Sequence, residues 1–110
     1  MSISILIEDT VKFPVKGTER NAQGVEVPFT FTLVCDRLDA DAVQAIVQDD
    51  QRKLADFFAD ITQDWDGVKD ADGKKLPYSA DHLAALFRKP GLAALTFRVY
   101  LTEIGAKAKN

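Results

Sequence analysis

The apolar residues change period once along the chain, and that change limits the fold more than any single motif does. Up to Cys35 they alternate: Ile3, Ile5 and Ile7, then Val11, Phe13 and Val15, then Val27, Phe29, Phe31, Leu33 and Cys35. A repeat of two places such residues on one face of a strand. From Val43 onward the spacing is helical, through Ile46, Val47, Leu54, Phe57, Phe58 and Ile61. Two or three antiparallel strands make a sheet too small to stand alone, so the later helices must cover its apolar face. The expected class is α+β: a small N-terminal antiparallel sheet with a long hairpin, followed by a cluster of three or four helices. With 110 residues, the whole of 1–110 is expected to form a single domain, because a second core would leave each half near the limit for unaided folding.

Local signals refine this outline. Pro14 removes a ladder donor, so either its strand lies at an edge or the proline points its missing N–H outward. The polar run Lys16 to Gly24 reads as a flexible hairpin tip. Asp39 is placed to cap a helix, with Leu38 before it positioned to meet Val43. Polar Asp50 and Gln51 fall where the apolar stripe should continue, so either the helix breaks near Gln48 to Gln51, the favoured reading, or it stays continuous and those side chains reach solvent past the sheet edge. Ser79 is a good N-cap for a short helix through Leu83, Leu86 and Phe87; Pro90-Gly91 ends it, and the proline suits the first turn of the next helix. The last helix, Leu92 to Ile104, carries one apolar stripe of Leu92, Leu95 and Val99 and another of Phe97, Leu101 and Ile104. Such a helix is either buried on several sides or covered by a partner. Leu95, Phe97 and Val99 are the candidate protein-binding residues, and self-association into a homo-oligomer is a second use of the same helix. Gly105 is a plausible C-cap, and Ala106 to Asn110 a basic, frayed tail.

Composition narrows the function classes. The formal net charge of -3 argues against nucleic acid as a partner. Its distribution is uneven: eleven acids against four bases in 36–72, then two against seven in 73–110. No apolar run is long enough to span a bilayer, and no signal-peptide pattern opens the chain, so a cytoplasmic protein is expected. Cys35 is alone, which precludes an internal disulfide and reads as a small buried hydrophobe in a strand. His82 has no second histidine or cysteine to share a metal.

Between the two helical patterns lies Asp64 to Tyr78, with the only tryptophan, two glycines, a proline and four aspartates. A helix-loop-helix calcium site needs ligands at loop positions one, three, five and twelve with glycine at six; started at Asp70, position five is Lys74, and started at Asp64 it is Val68. Neither register fits. Gly67 and Gly73 are not followed by Lys-Ser or Lys-Thr, which removes a phosphate loop. Ser79 and Cys35 share one possible base, His82, itself better explained by the helix cap. No metal, cofactor or catalytic group is expected, and the chain reads as a non-enzyme. The stretch instead has turn chemistry at Asp70-Ala71-Asp72-Gly73, and Trp65, Val68, Leu76, Pro77 and Tyr78 are placed to fold back into a core. It reads as a connector that sets the angle between two helices.

The string Ile61-Thr62-x-x-Trp65-x-Gly67-Val68-x-Asp70-x-x-Gly73, followed by Pro77-Tyr78-Ser79 and a short helix, resembles the tail assembly chaperones of long-tailed bacteriophages and prophages. A strand-rich opening, the pattern Val99-Tyr100-Leu101 in the last helix and a short basic tail extend the resemblance over most of the chain. It implies a morphogenesis factor of the infected host cytoplasm that binds the phage tape measure protein, with the major tail tube protein as a further partner. It also implies absence from the finished virion, and a frameshifted longer form in some members. The competing expectation is a structural subunit of the tail or connector.

Overall fold

A computed structural model of the chain describes residues 2–108. Two long strands, Thr10–Arg20 (β1) and Glu26–Asp36 (β2), pair antiparallel over their whole length, from Thr10 opposite Asp36 to Arg20 opposite Glu26. Two short helices follow, Ala40–Gln48 (α1) and Leu54–Ile61 (α2), then a third strand, Thr62–Asp66 (β3). Helices Ala80–Leu86 (α3) and Leu92–Ile104 (α4) complete the chain. The sheet order is β1-β2-β3, so β1 is an edge strand, one of the two placements Pro14 allows. The class is α+β, with a three-stranded antiparallel sheet and four helices.

The alternation of β1 and β2 explains which face is covered. Phe13, Val15, Phe31, Leu33 and Cys35 are buried, while Lys12, Lys16 and Thr30 between them meet solvent. Helix α4 lies on β1, and α2 packs against α3, α4 and β2. Tyr100, fully buried, ties α4 to the end of β2: its hydroxyl donates to the Asp36 carbonyl (2.8 Å) and accepts from the Leu38 N–H (3.1 Å). Phe57 and Phe58 of α2 meet Phe97 and Tyr100 of α4 edge to face, and Phe58 also touches Phe87.

Several boundaries differ from the sequence reading. Ile3, Ile5 and Ile7 alternate but form no strand; they belong to an exposed arm ahead of β1. No strand pairs with them, and period two without a partner makes no ladder. The expected flexible tip over Lys16 to Gly24 shrinks to Asn21–Val25, because β1 continues through Arg20. The tip is tight for a local reason. Asn21 Oδ1 accepts from the N–H groups of Gln23 (2.9 Å) and Val25 (3.0 Å), while Gly24, at φ +79°, donates to the Asn21 carbonyl (3.0 Å). The third strand is the largest difference. It comes from the centre of the chain, after α2, so the sheet is not completed before the helices begin.

The helix signals hold. The Ala42 N–H donates to Asp39 Oδ1 at 2.8 Å, the break falls between Gln48 and Leu54, and the His82 N–H donates to Ser79 Oγ at 3.1 Å. Pro90 sits in the turn before α4 rather than in its first turn, and Gly91, at φ +81°, is the N-cap. Gly105 caps α4 but in extended conformation, φ -80°. Lys109 and Asn110 of the expected tail lie outside the described residues.

Cys35 is completely buried in β2, its Sγ 3.5 Å from Thr62 Oγ1. Burial pushes the thiol up from its ordinary value to about 11, against the smaller opposing effect of the Thr62 hydroxyl. The folded chain therefore holds this proton where the unfolded chain releases it. Stability from this group is complete below about pH 9 and is lost as pH rises toward about 11. A Cys35→Ala variant should lose that part of the alkaline slope, as measured by denaturant unfolding across this range. Thiol reagents at neutral pH should label native Cys35 only as fast as the protein opens.

Candidate functional site

The Asp64–Tyr78 stretch is built from its own hydrogen bonds. After β3, Gly67 turns the chain, and a small hairpin runs from Val68 to Leu76, closed by the Leu76 N–H donating to the Val68 carbonyl at 2.9 Å. Its tip repeats the Asn21 design. Asp70 Oδ1 accepts from the N–H groups of Asp72 and Lys74, both at 2.9 Å, and Gly73, at φ +80°, donates to the Asp70 carbonyl at 3.0 Å. The four aspartates serve turn and surface, and among the described residues no three histidine, cysteine or acidic side chains gather as a metal site.

Trp65 is buried, and its Nε1–H donates to the Leu76 carbonyl at 2.8 Å. Tyr78 stacks edge-on against that indole at 5.3 Å and donates its hydroxyl to the Thr62 carbonyl at 3.1 Å. Pro77 offers its carbonyl to the His82 Nδ1–H at 2.7 Å, and Ser79 caps α3. The stretch is thus more than a connector between helices: its first part is a strand of the sheet, and the remainder is zipped back onto that strand.

Gly67 has a second task. At φ +83° it takes a conformation that side chains resist, and a Cβ there would lie 3.2 Å from the Thr30 carbonyl oxygen and 3.3 Å from Phe31 Cα. This close approach brings Val68 and Lys69 beside β2, where they form one wall of a cleft of about 360 Å³. The turn between α3 and α4 forms the opposite wall, and the β1–β2 pair the third. Phe29, Phe31, Val68, Leu86, Leu92 and Leu95 give an apolar floor; Lys69, Lys89 and Arg98 stand around it. Beside the cleft, Gly17 lets Phe29 and Leu95 of the floor pack closely over β1, since a Cβ there would come within 2.6 Å of Phe29 Cζ and 3.0 Å of Leu95 Cδ2.

The cleft is cationic in a chain of net negative charge. Lys89 holds Glu19 at 2.6 Å across the mouth, which engages the one carboxylate in the lining. Among the described residues Lys69 and Arg98 have no ion-pair partner. Such a site suits an apolar side chain accompanied by negative charge.

The candidate binding residues of α4 separate. Leu95 lines the cleft. Val99 is half-buried one turn further along, on the same flank of the helix. Phe97 points to the other flank, into the aromatic cluster, 5.6 Å from the Phe57 ring. Between the flanks Leu92, Thr96 and Tyr100 face the core. Sequence reasoning missed the cleft's cations and Gly17; the signal available was a basic 73–110 segment and a glycine inside an alternating strand.

A family model described as YdaY prophage protein matches residues 34–108. The chain belongs to this family. The matched region contains the whole Asp64–Tyr78 stretch, all four helices and β3, and so two of the cleft's three walls. Prophage origin agrees with the resemblance drawn from the Trp65-x-Gly67-Val68-x-Asp70 string, at the level of prophage protein. Neither a curated protein nor a solved structure matches the chain. No helix among the described residues is long and apolar enough to cross a membrane.

Proposed function

We propose that this prophage protein is a non-enzymatic tail morphogenesis chaperone that binds the tape measure protein before the tail tube closes around it. Membership in a prophage protein family is the observation that carries the reading, together with the central string that resembles tail assembly chaperones. A long helical client with apolar seams must be kept from aggregating by contacts that can later be released. The cleft supplies the physical means. Its floor would take an apolar side chain of the client, with Leu95 in contact, and Lys69 and Arg98 would meet neighbouring carboxylates. A small site gives weak individual affinity, and many copies along one client give strong overall coverage.

The test is co-expression with the tape measure protein of the same prophage. The client should stay soluble and co-purify with the chain, and mass spectrometry of finished particles should find the chain absent. Presence at stoichiometric level in particles would favour a structural subunit of the tail or connector instead.

A further inference from the structure

An apolar arm and an apolar groove stand open on the same chain. In the arm, Ile3 is 95% exposed and Leu6 69%, and Ile5 is wholly in solvent. Four branched aliphatic residues within five positions are costly to leave in water. The groove lies between α1 and the C-terminal end of α4, with a volume of about 550 Å³ and walls of Leu38, Val43, Val47, Leu101 and Ile104. Val47 is 60% exposed there.

Arm and groove also match in charge. Residues 2–7 carry no charged side chain, and the groove lining holds a single one, Asp39. The cleft described above, ringed by three cations, offers such an arm no comparable match. The root of the arm is fixed beside the groove: the Arg37 N–H donates to the Asp9 carbonyl at 2.9 Å, and Leu6 and Ile7 share a hollow with Leu38 and Ile104. Beyond that hollow the arm bends, the Leu6 N–H donating to Ser4 Oγ at 3.1 Å, and Ile3 and Ile5 leave the surface. One chain by itself thus leaves both surfaces uncovered.

We propose that two copies exchange these arms, Ile3 and Ile5 of each seating in the α1–α4 groove of the other. The contact is isologous, so it closes as a twofold dimer and buries both arms and both grooves. It is independent of the tail chaperone reading and leaves the cationic cleft free.

Sedimentation analysis of the full chain should show a dimer across the micromolar range. Ile5→Asp should convert it to monomer with unchanged circular dichroism, since that side chain makes no contact within its own chain, and Val47→Asp should do the same from the groove side. A mixture of Ile5→Cys and Val47→Cys proteins should form a disulfide-linked dimer containing one of each, with buried Cys35 as a silent bystander. A monomeric wild type, or a dimer that survives both charges, would overturn the proposal. So would a cross-link that forms within single chains of the double cysteine variant, which would place the arm in its own groove.

Discussion

Replacing Trp65 by alanine should destabilise the fold by about 3–5 kcal/mol, the range for removing a buried aromatic side chain. The indole is 6% exposed and fills the space between β2 and the Val68–Leu76 hairpin, with Leu33 opposite it in the sheet. Its loss also leaves the Leu76 carbonyl without the Nε1–H and Tyr78 without its edge-on partner. Domains of this size have total stabilities of about 5–15 kcal/mol, so about a fifth or more would disappear. Thermal unfolding followed by circular dichroism should show a fall of at least roughly 10 °C. A variant that melts with the wild type would show that the indole serves the surface rather than the core.

Phe58→Ala should cost a similar amount, about 3–5 kcal/mol, for a different reason. Phe58 has no exposed area and its ring touches Phe57, Phe87, Phe97 and Tyr100, which come from α2, the α3–α4 turn and α4. The cavity would open where three elements meet, so it cannot collapse by moving one of them. Urea unfolding should give a lower midpoint with an unchanged slope. Phe58→Leu, which refills most of the volume, should recover much of the loss. Equal losses for alanine and leucine would mean that ring geometry, not volume, governs this position.

Local signals in the sequence located the elements they could locate. Alternation from Val11 to Val15 and from Val27 to Cys35 marks β1 and β2, because one buried face is all that a two-residue period requires. Asp39 and Ser79 mark helix starts because each cap is a contact within three residues. Ile3 to Ile7 has the same alternation as β1 yet no partner, and pairing is a tertiary event that period alone does not report. Thr62–Asp66 failed in the opposite sense. It is five residues long, follows a helix without a break, and shows no clean alternation, so its strand character comes from pairing with Thr32–Cys35.

The turn at Asn21 was readable in principle, since Asn21-Ala22-Gln23-Gly24 repeats the spacing of Asp70-Ala71-Asp72-Gly73. The cleft was not. Its walls come from residues 18–31, 67–69 and 86–98, and only the sheet register and the close approach at Gly67 bring them together. The split of Leu95 and Phe97 onto opposite flanks of α4 follows from helical spacing once Thr96 is known to face the core. A threonine there hides its hydroxyl by donating to the Leu92 carbonyl at 2.8 Å, which a hydropathy pattern reads as a polar interruption.

The central proposal, that the cationic cleft holds the tape measure protein, is tested most directly by the affinity of the purified chain for a soluble segment of its own prophage's tape measure. Wild type should bind, and Lys69→Glu/Arg98→Glu should bind about tenfold or more weakly at low salt, with the difference shrinking as salt is raised. Both side chains lie at the surface, so the variant should keep the wild-type melting temperature. Equal affinity for the two proteins, with the fold intact, would contradict the account.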